Sequence, residues 1–431
     1  MLSMSSLQTL CASAILLILT SCVHVSTSNS QDSPKPIKGV YYPSWARDDF
    51  SPSAINTKYF THIYYAFLIP NNVTFKFDID KITEAPFLKD FTSALQSNEH
   101  PVRTLFSIGG GNVGPALFSR MAYHSSSRGA FINSSIEVAR TYGFNGFDLD
   151  WEFPQDRKDM ENLAQLLEEW RHAARKEAEA TGKPELLITA AVYYSADTFL
   201  SGSQRAYPAD SITKNLNWVN VMNYDYHGSW DTSATGAHAA LYDPKSNLST
   251  SFGIGSWIRA GVPGSKLVMG MPLYGRTWEL KDPKLFGIGA QAVGVGPGED
   301  AALTFAQVVK FNKDHKAKVV FDSETVSMYS VAGRSWIGYD DVTSVGLKIG
   351  FARALELRGY FFWDVHGDYK WQISKKGKYY IFAFDMSWTY VGPGFAANSI
   401  ANRLVSNKFG SVPTKYRFKT IFYPKYGNNQ F

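Results

Sequence analysis

The sequence carries only two cysteines, Cys11 and Cys22, in 431 residues. Both fall in a short apolar segment at the N-terminus. The rest of the chain can therefore build no disulfide and must rely on the size of its core. Long hydrophobic runs are missing too. The most apolar stretch, Ala12 to Leu19, is much shorter than the roughly 20 residues a membrane span requires. No internal repeat is present, which argues against a solenoid or propeller. No His cluster or Gly-Asx loop marks a metal site, and neither metal nor cofactor is expected.

Apolar residues make up 45% of the chain and aromatics 15%, ample for one large core or two. Leu7 to Val25, followed by small residues through Ser28, reads as a secretory signal peptide over residues 1–28, although no Lys or Arg precedes its apolar centre. Secretion, to the outside of the cell or to a vacuole, is the expectation. Sequons at Asn72, Asn133 and Asn247 agree with it. The net charge of +5 is unevenly spread, because seven Lys and two Arg against one Asp lie from Lys375 onward. The body is mildly acidic, so neither nucleic acid nor a membrane surface is suggested as its partner.

Short apolar strands alternate with amphipathic helices. Strands are expected at Ile37–Tyr42, His62–Leu68, Arg103–Ile108, the acidic run from Gly146, Leu186–Val192, Trp218–Asn223, Lys266–Met271 and Gly359–Trp363. The clearest helix runs from Asp159 to Thr181, with Met160, Leu163, Leu166, Leu167 and Trp170 at helical spacing and Gly182 as its stop. Eight such units predict an α/β fold, a (β/α)8 TIM barrel spanning residues 36–374. The Gly-rich interval at about 278–338, between strands seven and eight, is too long for one helix and predicts a small α+β insertion.

The acidic run is Gly146-Phe-Asp148-Leu-Asp150-Trp-Glu152-Phe-Pro154. On a strand, alternate residues share a face, so three carboxyls point one way and four apolar side chains the other. Crowded carboxyls favour keeping a proton on one of them, and a carboxyl protonated near neutral pH can serve as a general acid. A solvated face or a Ca²⁺ or Mg²⁺ site is the plainer alternative. Other polar, aromatic and glycine residues gather at strand ends. Gly109 and Gly110 follow strand three, Met222, Tyr224 and Asp225 strand six, and Tyr274 and Arg276 strand seven, while Trp363 ends strand eight. Each has a structural reading as core or turn. Their joint position at the C-terminal ends of successive strands, where such barrels carry their active groups, favours a site.

Asn145-Gly-Phe-Asp148-Leu-Asp150-Trp-Glu152 resembles the signature of the family 18 glycoside hydrolases, in the form found in plant class V chitinases, with Asn145 where Asp is common. The resemblance covers about Pro36 to Ser374. It implies a monomeric secreted hydrolase of chitin, acting on β-1,4-linked N-acetylglucosamine with retention of configuration and with the substrate's acetamido oxygen as nucleophile. Glu152 would protonate the leaving oxygen. Asp150 would orient the acetamido group, Asp148 would share a proton with Asp150, and Tyr224 would donate to the acetamido carbonyl. Tyr41, Phe67 and Trp363 would line the sugar subsite, with Met222 and Asp225 beside Tyr224 and Arg276 on the leaving-group side. The insertion would wall the groove. Gly111 stands where many members carry Trp. A lectin or inhibitor on the same fold and an endoglycosidase of N-linked glycans are the rival readings. The basic, aromatic tail 375–431 falls outside the resemblance.

Overall fold

The computed structural model describes residues 35–198 and 205–379. The expected signal peptide and nearly all of the tail lie outside the described residues. Eight parallel strands close into a barrel: β1 (Ile37–Pro43), β2 (His62–Leu68), β3 (Arg103–Gly109), β4 (Gly146–Asp150), β5 (Leu187–Val192), β6 (Trp218–Val221), β7 (Leu267–Pro272) and β8 (Gly359–Trp363). Each strand pairs with its predecessor, and β8 pairs back with β1. This is the (β/α)8 architecture.

Local chemistry explains the helix over Arg157–Thr181. Asp156 caps it by accepting from the Asp159 amide, and Gly182 ends it at φ 67°, a left-handed conformation that glycine adopts without strain. Its apolar stripe, Met160, Leu163, Leu166, Leu167 and Trp170, is buried. Trp170 stacks on Phe147 at 4.5 Å, which places the apolar face of β4 under this helix. The carboxyl face of β4 is thereby turned into the barrel.

The interior of the barrel is largely aromatic. Tyr41 and Tyr64 stack at 4.6 Å, beside Leu105, Trp218, Val268 and Phe361. Polar atoms in this core are paired: Trp218 Nε1 donates to Tyr64 Oη at 3.0 Å.

Between β7 and β8 an antiparallel sheet of six strands forms a separate lobe. Its first strand, Tyr274–Leu280, begins slightly before the expected insertion and brings Tyr274 and Arg276 into the lobe. Trp278 and Trp336 meet at 5.3 Å in its core. The helix Phe305–Asp314 starts from a capping box between Thr304 and Gln307. The last described helix, Gln372–Tyr379, runs past the boundary expected near Ser374. Ile373 and Ser374 are buried, and Ser374 Oγ donates to Asp368 at 2.6 Å. Among the described residues no helix is long and apolar enough to cross a membrane.

Candidate active site

The site opens at the C-terminal ends of the strands and is built outward from Asp148. This side chain is fully buried. Its Oδ2 accepts from Tyr41 Oη and Ser107 Oγ, each at 2.8 Å. Its Oδ1 accepts from Thr189 Oγ1 at 2.6 Å and Asn220 Nδ2 at 3.2 Å. Ser107 and Thr189 are the register partners of Asp148 on the two neighbouring strands, so the barrel itself supplies these donors. Burial raises the carboxyl above its ordinary range, and the four hydrogen bonds pull it partly back.

Asp150, two residues on, is buried, and its Oδ1 has no hydrogen-bond partner among the described residues. Burial, then the charge of Glu152, then that of Asp148 raise its carboxyl well above the usual range. Those conditions favour a neutral acid. Since donors surround Asp148 and no such bond reaches Asp150 Oδ1, the proton of the pair is better placed on Asp150 than on Asp148.

β4 ends at Asp150, and the chain leaves the sheet before Glu152. Glu152 is half-buried, and its carboxyl is pushed up to about 7, by burial first and by the Asp225 charge second. It stands where two cavities meet. One, of about 290 Å³, is walled by Tyr41, Trp45, Phe67, Asp150, Tyr224 and Trp363. The other, of about 400 Å³, is walled by Phe153, Tyr193, Tyr194, Tyr226, Trp230 and Leu248. Glu152, Met222, Tyr224 and Asp225 border both. A chain-like ligand spanning the two would cross the Glu152 carboxyl. A larger cavity of about 850 Å³ lies at the other end of the barrel, beside His62, Arg103 and Trp218. It holds none of the candidate residues, so size alone does not mark the site.

In the first cavity Trp363 forms a floor with Phe67, their rings 5.6 Å apart and 21° from parallel. Tyr41 lies beneath Trp363 at 5.4 Å. Tyr41 thus both props the floor and binds Asp148. The Tyr224 hydroxyl is kept protonated by burial, by Tyr274 and by Asp150, which leaves it a donor. Arg276 does not border either cavity. Its Nε and Nη2 each lie 2.8 Å from the Asp225 carboxylate. Burial alone would raise the Asp225 carboxyl, but His238 and Arg276 outweigh it and hold the group well below the usual carboxylate range.

Gly109 and Gly110 have φ of 116° and 91°. A Cβ on Gly109 would meet the Asp150 carbonyl oxygen at 2.1 Å, and one on Gly110 would meet the Phe67 ring at 2.5 Å. They make room for the protein's own backbone and floor. Gly109 and Gly111 both border the first cavity, and a Cβ added to Gly111 would sit 3.5 Å from Glu152 Oε1.

Several residues of the site escaped sequence reasoning. Trp45 and Trp230 are 64% and 60% exposed, one in each cavity. Thr189 and Asn220 carried a usable signal, since each is the lone polar residue of an apolar strand. His238 carried none.

The model of the glycosyl hydrolases family 18 matches residues 38–368. Nod factor hydrolase protein 1 of Medicago truncatula is 50% identical over 347 residues, covering 79% of this chain and 89% of that protein. A class V chitinase of Lotus japonicus is 48% identical over 366 residues, covering 84% and 91%. Among solved structures, the Cycas revoluta GH18 chitinase in complex with (GlcNAc)3 is 42% identical with a TM-score of 0.76, covering 80% of this chain and 99% of that one. A chitinase-like agglutinin of Robinia pseudoacacia is 38% identical with a TM-score of 0.73, again covering 80% and 99%. Signature, barrel and relatives agree: this chain belongs to the glycosyl hydrolases family 18, on the plant class V chitinase branch, and is a glycoside hydrolase.

Proposed function

We propose that this protein is a secreted chitinase that cleaves β-1,4-linked N-acetylglucosamine polymers with retention, using the substrate's acetamido group as nucleophile. One observation carries the mechanism. Among the described residues three carboxyls border the cleft, and Glu152 is the one that lines both cavities without being held by an ion pair. Asp225 is engaged on two oxygens by Arg276, and Asp150 is buried under conditions that keep it neutral. Neither offers the free carboxylate that a two-carboxylate glycosidase requires as nucleophile or base.

Glu152 delivers its proton to the glycosidic oxygen as the bond to the anomeric carbon breaks. The acetamido carbonyl oxygen bonds to that carbon from the opposite face. Asp150 passes its own proton toward Asp148, and its carboxylate, now charged, accepts from the acetamido N–H and faces the positive charge that develops on the acetamido group. Tyr224 donates to the acetamido group and fixes its approach. Water then enters from the face the leaving sugar vacated, gives a proton back to Glu152, and reopens the ring with the starting configuration. Trp363 and Phe67 provide the stacking floor.

The Cycas relative is described with (GlcNAc)3 bound, which supports a chitin oligomer as ligand. Retention of Glu152 favours hydrolysis over the purely binding role of an agglutinin. Asn72, Asn133 and Asn247 are all exposed, which is compatible with glycosylation on a secretory route. Product analysis on chitin oligomers of defined length tests the reading. Cleavage with retained configuration, and no cleavage of fully deacetylated chitosan, is expected. Chitosan cleaved at a comparable rate removes the acetamido nucleophile from the account.

A further inference from the structure

We propose that the cavity at the N-terminal end of the barrel, opposite the cleft, is a binding site for a small organic phosphate, held by donors at the starts of the strands. The inference is independent of the hydrolase reading above.

This cavity of about 850 Å³ is built where the strands begin. His62 and Arg103 open β2 and β3, Asn145 and Asn217 directly precede β4 and β6, and Arg358 directly precedes β8. Among the described residues no Asp or Glu lines it, whereas Lys35, Arg103 and Arg358 do. Arg358 Nη1 donates to Lys35 O at 3.1 Å, which holds its guanidinium against the segment entering β1. Three cationic side chains with no carboxylate among them leave an excess of positive charge, which a multiply charged anion compensates best.

The neutral polar groups add donors as well. Asn145 Oδ1 accepts from the Thr104 amide at 2.9 Å, and Asn217 Oδ1 accepts from the Ile188 amide at 2.8 Å. With both oxygens taken up by the main chain, what these carboxamides offer a ligand is Nδ2–H. His62 is 8% exposed, and its Nδ1 lies 2.9 Å from Thr61 Oγ1. The other acceptor for that hydroxyl, Lys38 O, is farther off at 3.3 Å. Nδ1 is therefore the better acceptor, which assigns the ring proton to Nε2. Burial first, then Arg103 and Arg358, pull the imidazole down to about 3, so the ring is neutral at pH 7 and Nε2–H is a further donor.

Asn145 keeps this wall free of a carboxylate. An aspartate there could accept from the same Thr104 amide, but it would bring a negative charge to the cavity and repel an anion. Phe60, Val102 and Trp218 also line the cavity, with His62 edge-on to Trp218 at 5.0 Å. That apolar side suits the organic part of a phosphate ester, whose phosphate carries close to two negative charges at neutral pH.

Two readouts on the full chain test this. Binding of phenyl phosphate is measured by calorimetry at matched ionic strength, and the His62 ring signals are followed by ¹H–¹⁵N NMR at pH 7. Wild type should bind saturably, with the His62 Nε2 signal moving along the same isotherm. Arg103→Gln removes a positive charge and Asn145→Asp adds a negative one. Each should weaken binding at least about tenfold, the scale of a lost hydrogen bond to a charged group. Both should melt like wild type, because Arg103 is exposed and an aspartate at 145 can keep the bond from the Thr104 amide. Absence of saturable binding overturns the proposal. So does binding as tight in Asn145→Asp as in wild type, or a His62 signal that stays still while phenyl phosphate binds elsewhere. Inorganic phosphate should bind more weakly than phenyl phosphate, and equal affinity overturns the organic ligand in favour of the free ion. If Asn145→Asp does not fold, Arg103→Gln decides by the same criterion.

Discussion

Asn220 Nδ2 lies 3.0 Å from Tyr41 Oη and 3.2 Å from Asp148 Oδ1, while Tyr41 Oη donates to Asp148 Oδ2 at 2.8 Å. These three side chains, from β6, β1 and β4, close a ring across the barrel interior. Tyr41 accepts from one neighbour and donates to the other, so its hydroxyl has no replacement in phenylalanine.

Tyr41→Phe should therefore cost about 1.5–3 kcal/mol, the range for a hydrogen bond to a buried charged group. Turnover should fall as well, because without this donor Asp148 binds a proton more strongly and competes for the one that Asp150 holds at rest. Urea melts and kcat measure the two effects. A variant as stable and as fast as wild type would remove Tyr41 from the network.

Glu152→Gln keeps the shape of the site but cannot deliver a proton. Turnover should drop by at least about 10²-fold, the usual scale of general acid catalysis, with oligomer binding retained. The pH dependence has a definite sign. Because the folded carboxyl is pushed up to about 7, activity should decline as pH rises through that value. The same shift couples to stability. A raised carboxyl stabilises the fold below its unfolded pKa, near 4.3, and that contribution is lost as pH rises through about 7. Thermal melts from pH 4 to 8 should thus slope down, and less steeply in Glu152→Gln. Parallel slopes would mean that Glu152 does not titrate in that window.

Gly110→Ala and Gly111→Ala form a contrasting pair. At Gly110 the new methyl group meets the Phe67 ring at 2.5 Å and inherits a φ of 91°. It should destabilise the fold by about 1–3 kcal/mol and weaken oligomer binding by displacing Phe67 from Trp363. At Gly111 the methyl group finds ordinary contact distances, so the melting temperature should hold. Equal effects at both positions would contradict this packing.

Truncation after Tyr380 should leave hydrolysis of soluble oligomers intact. The helix Gln372–Tyr379 is kept, together with its buried Ile373 and Ser374. Truncation after Ser374 would remove most of that helix and should lower the melting temperature. If the chain ending at Tyr380 folds but is inactive, the tail takes part in the reaction.

What the sequence alone determined is what short-range periodicity can encode. The eight strands were legible nearly to the residue, because short apolar runs bounded by turn residues mark strands of a parallel sheet buried on both faces. The helix Arg157–Thr181 was legible from its stripe and from Gly182. The row Asp148, Asp150, Glu152 declared the likeness to a family, although the strand ends at Asp150 and Glu152 follows it outside the sheet. Only the tertiary structure decided what each carboxyl meets. Tyr41 reaches Asp148 across 107 residues, Asn220 across 72, and Arg276 reaches Asp225 across 51. No local pattern marks such pairs, because closing the barrel and folding the lobe onto it brings them together. The same closure packs Phe67 against Gly110 and sets Arg276 on Asp225. Acidity follows from burial and neighbouring charge, so three carboxyls of one strand-end motif acquire three different environments that their spacing could not foretell.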